Sequence, residues 1–287
     1  MIRTTFKITQ SGLPVISAKM IGDTATRMLE EFLPDGMEKP RAVDVDAFLQ
    51  KYLHMNFEER RLSHNGFILG MTVFEDTDKL AYWVPEEGRA EYCSVKARTI
   101  LVDSQGQSEE MLRFTKAHEC GHAYFHNVYM KRHPGEVYCR ESIDTLSQKQ
   151  PDKTEEWTEY QWREWQANTF ASCLLMPEPM VRKLVGGMPP IRTGDPFGER
   201  TERINRVNEV FQVSRSAAAI RLKGMGLLEE EEKTGYVFLN MGKDEYTGTM
   251  YYSPYYDGLG NYIPEQPVDP PEPPEQRITI KRRKKKK

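Results

Sequence analysis

Residues 113–122 have the sequence RFTKAHECGH, and this stretch decides which kind of fold we expect. His118 and His122 are four positions apart. On a helix they would lie one turn above each other, so both imidazoles can reach a single ion at about 2.0 to 2.1 Å. Glu119 would lie at the edge of the same face, where a carboxylate can take a proton from metal-activated water and deliver it to a leaving amine. Alone, the motif also fits a helix that happens to contain two histidines and a glutamate.

The flanking sequence predicts that this motif is helical. Ser108 provides an N-cap, two glutamates follow it in the first turn, and the pattern continues through Phe125 until Pro134-Gly135 limits its extension. Gly121 precedes the second histidine, where a larger side chain would crowd an ion. We interpret Cys120 as a small helix residue, because no separate Cys/His/Asn pattern indicates a catalytic thiol.

A catalytic zinc site needs a third protein ligand, with water in the fourth position. His126 lies eight residues after His118. On one helix this is roughly 12 Å along the axis at about 1.5 Å per residue, which is too far for the same ion. We therefore interpret His126 as a surface residue or as one that supports a ligand from outside.

A better third ligand lies on a second helix, predicted from about Lys153 to Leu175. Glu164, Ala167, Asn168 and Ala171 fall on one stripe of this helix, and the alanines are small enough to let two helices approach closely. Asn168, one turn from Glu164, is placed to orient a metal ligand. Alternatively, Glu164 is one more acid on an acidic helix. The other glutamates lie in its first turns, where the helix dipole accounts for them, whereas Glu164 has apolar neighbours and needs a partner.

Two blocks of sequence resemble the ImmA/IrrE family of metallopeptidases, namely residues 113–122, and EWQANTFA at 164–171 followed by LLMP at 174–177. The resemblance covers roughly Val15 to Leu228. It implies His118, His122 and Glu164 as metal ligands and Glu119 as the general base. It also implies that the protein substrate is a helix-turn-helix repressor, cleaved or inactivated in mobile-element induction or in the DNA-damage response.

The rest of the first 195 residues predicts an α+β, zincin-like domain. Apolar residues recur at helical spacing from Val15 to Phe32 and from Val43 to Leu53, with Asp44 or Asp46 available to cap the second helix. Three runs bounded by turn residues predict strands of one small sheet: 67–74, 80–84 and 99–102. We expect Thr99 to Val102 to be an edge strand that holds an extended substrate by strand addition.

Residues 196–232 predict a helix-turn-helix-like module, with helices on either side of Gln212-Val213-Ser214. As a DNA-binding regulator, the chain would use five of these residues: Arg215, Arg221 and Lys223 on the backbone, and Ser214 and Ser216 near bases. The alanines at 217–219 leave few side chains to read bases, so we favour packing or docking over DNA binding. A Tyr-rich extension (233–263) and a Pro-rich, polybasic tail (264–287), which we expect to be disordered, complete the chain.

Composition limits the classes of protein. Outside the seven basic residues that end the chain, the sequence is acidic, which argues against a general nucleic-acid binder. No apolar run approaches the roughly 18 to 20 residues of a membrane span. The first residues of the sequence lead into no apolar signal core, so we expect a cytoplasmic location and no membrane partner. The four cysteines lack paired spacing, so we expect reduced thiols: Cys93, Cys120, Cys139 and Cys173.

Together these patterns predict a zinc-dependent endopeptidase, in which another divalent cation such as Mn²⁺ can replace zinc. The alternatives are the DNA-binding regulator and a metal-binding interaction protein that does not cleave. The group that stabilises the oxyanion stays open among Tyr124, Tyr138, Tyr160 and His64.

Overall fold

The computed structural model describes residues 5–134, 138–142, 157–188 and 196–228. The helices are α1 (Ala18–Phe32), α2 (Val45–Ala47) with a π-helical turn after it (Phe48–Tyr52), α3 (Glu109–Phe125), α4 (Asn127–Arg132), α5 (Glu159–Leu175), α6 (Glu178–Gly186), α7 (Pro196–Phe211) and α8 (Arg215–Gly224). The strands are β1 (Asn56–Glu59), β2 (Ile68–Val73), β3 (Thr77–Val84), β4 (Arg89–Val95), β5 (Thr99–Val102) and β6 (Tyr138–Ser142). This mixture of helices and small sheets confirms the predicted α+β class.

The two long helices begin at capping residues. The side chain of Ser108 accepts a hydrogen bond from the backbone N–H of Met111, as the sequence predicts for the start of α3. In α5, Thr158 and Gln161 form a capping box, so the helix begins at Glu159 and not near Lys153. The start predicted at about Lys153 lies outside the described residues, but Trp157 and Thr158 are not helical, so the helix that carries Glu164 begins later than predicted.

Helix α3 lies between the sheet and α5, and α5 in turn packs against α1. The helices approach closely at Gly121, where an added Cβ would lie 3.0 Å from Cα of Ala167. The glycine therefore serves the contact between the helices, which corrects our expectation that it makes room for the ion. The predicted role of the alanine stripe is confirmed, because Ala167 and Ala171 are fully buried at this interface.

The strand order corrects the predicted sheet. The main sheet has the order β1-β5-β2-β6, with β1 parallel to β5 and the other pairs antiparallel. Strand β5 is thus internal, and the expectation that Thr99–Val102 forms an edge is wrong, because β1 occupies its outer side. Strands β3 and β4 form a separate two-stranded sheet. Strands β1, β4 and β6 were not predicted. The residues of β1 and β4 are largely exposed or half-buried, and β6 lies where the sequence shows no strong periodicity.

The last two helices share the main core. Val207 and Phe211 of α7 and Ala218 and Leu222 of α8 are fully buried in the same apolar cluster as α1 and α5. The boundary predicted at 195/196 stays a prediction, and the Tyr-rich extension and the tail lie outside the described residues. None of the helices in the described residues is long and apolar enough to cross a membrane.

Candidate metal centre

Helix α3 places both histidines of the motif on its buried face. His118 and His122 are fully buried, and their Nε2 atoms lie 2.9 Å apart. Glu119, between them in sequence, is also fully buried. The one-turn spacing predicted from the sequence thus brings two imidazole nitrogens to one point.

Helix α5 brings the carboxylate of Glu164 to the same point. Its Oε2 atom lies 3.4 Å from Nε2 of His118, and its Oε1 atom lies 3.4 Å from Nε2 of His122. The ligand atoms of these three residues all lie within 4.8 Å of one another, and all three side chains are buried. This group could hold a metal ion.

The hydrogen bonds around the group leave its lone pairs facing inward. Nδ1 of His118 lies 2.8 Å from Oδ1 of Asn168. An amide oxygen only accepts, so the ring proton of a neutral His118 is on Nδ1 and its Nε2 carries a lone pair. Oε2 of Glu164 is buried without a hydrogen-bond donor among the described residues. The lone pair of His118 and this buried carboxylate oxygen need a positive charge between them, so the residues fit a cation. Asn168 has the orienting contact that the sequence predicts for it.

The pKa shifts at the centre favour the protonation states that a cation needs. Burial lowers the pKa of His122, which keeps its ring neutral. Burial alone would raise the pKa of Glu164, but the electrostatic influence of the adjacent His122 and His118 rings outweighs it and holds that pKa below its usual range. A neutral imidazole and an ionised carboxylate are the forms that bind metal.

Strand β2 holds Glu119 beside this group. Oγ1 of Thr72 donates a hydrogen bond to Oε2 of Glu119 at 2.5 Å, and both residues are fully buried. At Gly70 the strand passes so close that an added Cβ would lie 2.8 Å from Oε1 of Glu119 and 2.7 Å from Cγ2 of Thr115. Neither Thr72 nor Gly70 was predicted from the sequence as part of the site. A glycine inside an apolar strand was the available signal, since it often marks a close approach.

A family comparison agrees with this geometry. The model of the family described as Peptidase_M78, IrrE N-terminal-like domain, matches residues 70–223, which include most of β2 and all of α3 and α5. The chain belongs to the IrrE N-terminal-like peptidase family. The resemblance noted from the sequence and the zincin-like character of the fold are thereby confirmed. Comparison with curated proteins finds no match.

The match in this IrrE-like peptidase begins at Gly70, yet the preceding residues are part of its core. Ile21, Ala25, Met28 and Leu29 of α1 are all fully buried, and α1 packs against α5. The segment before the matched residues therefore supports the helix that carries Glu164.

His126 is fully buried in the IrrE-like peptidase, so the first of our two interpretations, a surface residue, is wrong. Its Nδ1 atom lies 2.8 Å from Nδ1 of His122, and the exposed fraction of its side chain is zero. The available signal was its spacing of four residues from His122, which makes the two rings neighbours on one helix face. It contacts His122, a candidate metal ligand, from outside the group.

The four residues considered for stabilising the oxyanion differ in their surroundings. Tyr160 and His64 are exposed, the ring of Tyr124 packs edge-on against Phe125, and Tyr138 packs against the apolar cluster around β2. The oxyanion group therefore stays a prediction. Burial raises the pKa of the Cys120 thiol, which agrees with a packing role. Cys93, Cys120, Cys139 and Cys173 all lie in the described residues, and none of them forms a disulfide there.

The residues proposed for DNA contact are partly engaged within the protein. Ser214 caps α8 by accepting from the N–H of Ala217, Ser216 is buried, and Nε of Arg221 donates to the carbonyl of Met176. Arg215 and Lys223 are exposed. DNA binding by these two residues, and any docking role of the two helices, stay predictions.

Proposed function

We propose that this chain is a metal-dependent endopeptidase that cleaves a peptide bond in a protein substrate. The observation that carries the proposal is the buried group of His118, His122 and Glu164, with the carboxylate of Glu119 held beside it. Two imidazole nitrogens and one carboxylate oxygen form a ligand set used by catalytic zinc, which keeps its fourth position for water. Zn²⁺ is therefore the expected ion, and Mn²⁺ is the alternative.

In this mechanism the bound ion would act as a Lewis acid, which polarises the scissile carbonyl and lowers the pKa of the attacking water. Glu119 takes a proton from that water while the oxygen of the water forms a bond to the carbonyl carbon. It then delivers the proton to the amide nitrogen, so the carbon–nitrogen bond breaks to give an amine and a carboxylic acid, which keeps the second proton of the water until it ionises. The hydroxyl of Thr72 keeps one oxygen of Glu119 fixed while the other oxygen handles the proton.

The corrected strand order suggests a different place for an extended substrate. Among the described residues, β6 pairs only with β2, the strand that contacts Glu119. An extended peptide that adds to the outer edge of β6 would be separated from β2, and so from Glu119, by one strand. A peptide that adds to the outer edge of β1 would be separated from β2 by two strands, β1 and β5. We propose β6 as the strand that binds the substrate backbone.

We further propose that the substrate is a helix-turn-helix repressor, in mobile-element induction or in a stress response. This rests on membership of the IrrE N-terminal-like family together with the resemblance of the two sequence blocks to ImmA/IrrE proteins. A cytoplasmic site of action stays a prediction.

Co-expression with a repressor encoded beside this gene tests the proposal. The wild type should produce a repressor fragment that is absent with Glu119→Gln, because the amide cannot accept the proton from water. Glu109→Gln is the matched control, since Glu109 lies on the same helix but is exposed, and it should leave the fragment unchanged. Cleavage that survives Glu119→Gln would contradict the proposed mechanism. Metal bound without any cleavage would favour the interaction protein.

A further inference from the structure

A line of hydrogen bonds leads from His122 to the backbone of the N-terminal segment. Beyond the 2.8 Å contact between the Nδ1 atoms of His122 and His126, Nε2 of His126 lies 3.0 Å from Oε1 of Gln166. Nε2 of Gln166 donates to the carbonyl of Pro14 at 2.8 Å. The three side chains are at most 1% exposed, so the whole line is shielded from water.

The direction of each hydrogen bond follows from the end at Pro14. A carbonyl only accepts, so Gln166 presents its NH₂ group to Pro14 and its oxygen to His126. That oxygen also only accepts, so His126 carries its proton on Nε2. Its Nδ1 then accepts the Nδ1 proton of His122. Burial disfavours a second proton on either ring, and Nε2 of His122 is left without a proton.

We propose that Pro14, Gln166 and His126 form a relay that sets the tautomer of His122 and keeps its metal-binding nitrogen free of a proton before any metal arrives. His126 and Gln166 are then positioning residues for metal binding. The inference rests on the proposed function only in taking His122 as a ligand. Mutation of outer partners of this kind typically weakens metal affinity by about 10- to 100-fold.

The acceptor that begins the relay is itself held in place. Ile8 and Pro14 form an isolated antiparallel bridge, which closes a turn with Gly12 at φ 95°. An added Cβ at Gly12 would lie 3.0 Å from Cδ of Arg132. Nη1 of Arg132 donates to the carbonyl of Gln10 at 2.8 Å. This turn lies before residues 70–223, so the relay brings a segment outside the family match to the metal centre.

Loss of the relay has a specific consequence at His122. Without an acceptor at Nδ1, the ring proton can move to Nε2, which lies 3.4 Å from Oε1 of Glu164. That tautomer gains a hydrogen bond to the carboxylate and loses the lone pair that binds the ion. Metal binding would then require a proton to move, which weakens the affinity.

Two measurements test the relay without any substrate. Long-range ¹H–¹⁵N NMR of the metal-free protein, with ¹⁵N-labelled histidine, should show the proton on Nδ1 of His122 and on Nε2 of His126. Competition with a chromophoric chelator gives the affinity for Zn²⁺. Gln166→Met should move part of the His122 population to the Nε2–H tautomer and weaken zinc binding by about 10-fold or more.

Variants at His126 separate the relay from simple packing. His126→Phe should weaken zinc binding, whereas His126→Gln should restore much of it, because its amide can accept from His122 and donate to Gln166. Leu174→Ala is the matched control: Leu174 is fully buried on the same helix as Gln166, so the variant should lower stability and leave zinc affinity unchanged.

The inference would be overturned if NMR of the metal-free wild type placed the ring proton of His122 on Nε2. It would also be overturned if both His126→Phe and Gln166→Met left the affinity for zinc unchanged. The tautomer measurement stands even if His126→Phe does not fold. A protein that shows the relay but cleaves no peptide would refute the proposed function alone. A protein that binds no zinc would also refute the proposed function, while the tautomers would still decide the inference.

Discussion

The position of Glu119, the proposed general base, depends on a residue 47 positions away in sequence, Thr72. Its hydroxyl is the hydrogen-bond donor at 2.5 Å to Oε2 of Glu119, and both residues are fully buried. A hydrogen bond to a charged acceptor is stronger than one between neutral groups and restricts rotation of the carboxylate. Thr72 therefore fixes the geometry in which Glu119 can reach a proton.

Replacing Thr72 by Val should lower kcat by up to about 100-fold, because the variant keeps the shape of the side chain but lets the carboxylate turn. Thr72→Ser retains the hydroxyl and should recover most of the activity. The measurement is steady-state kinetics on a cleaved peptide, with zinc content determined in parallel. Equal kcat values for Thr72→Val and wild type would show that this hydrogen bond does not position the base.

At the scale of single residues, sequence reasoning found the side chains whose partners are close in sequence or share a helix stripe. The His118/His122 spacing and the placement of Glu164 among apolar residues are of this kind. Thr72 and Gly70 were missed because their role arises only when β2 packs on α3. No local pattern encodes which strand will face a given helix.

At the scale of elements, the site depends on how closely α3 and α5 approach each other. The glycine at 121 allows the two backbones to meet, since a Cβ there would lie 3.0 Å from Cα of Ala167 and 3.3 Å from Cβ of Phe170. His118 and His122 lie on one helix and Glu164 on the other. A change in the spacing of the helices therefore changes the size of the metal centre.

Gly121→Ala should destabilise the protein by about 1 to 3 kcal/mol through overpacking and should weaken zinc binding by moving α5 away from α3. Gly186→Ala is the matched control, because Gly186 also lies in a helix and an added Cβ there meets nothing within 4 Å. Urea unfolding and chelator competition provide the two readouts. If Gly121→Ala were as stable as Gly186→Ala and bound zinc equally well, close contact of the helices would not be needed.

Capping residues and apolar periodicity predicted α1, α3 and the last two helices well, because both signals are local. Strand order was not predictable in the same way. Residues 99–102 have the apolar character of a buried strand, but their neighbour on one side, β1, is short and polar and lies more than 40 residues earlier. Strand pairing across such a distance is decided by packing of the whole sheet.

At the scale of the whole molecule, one apolar core joins the N-terminal helix, the two helices of the metal centre and the last two helices. The sequence predicted the class of fold and the composition of the metal centre. It did not predict that the turn at residues 8–14 would reach the centre through Gln166. That contact spans 152 residues and exists only in the assembled fold.

The central claim is that His118, His122 and Glu164 together bind one divalent ion. The most direct measurement is the zinc content of the purified protein by mass spectrometry, after loading with Zn²⁺ and dialysis. We expect one zinc ion per chain in the wild type and in Glu159→Gln, a control with an exposed glutamate changed on the same helix. Glu164→Gln should retain almost no zinc, because it replaces the charged ligand by a neutral amide of the same shape. Equal zinc in Glu164→Gln and wild type, or no zinc in the wild type, would contradict the claim.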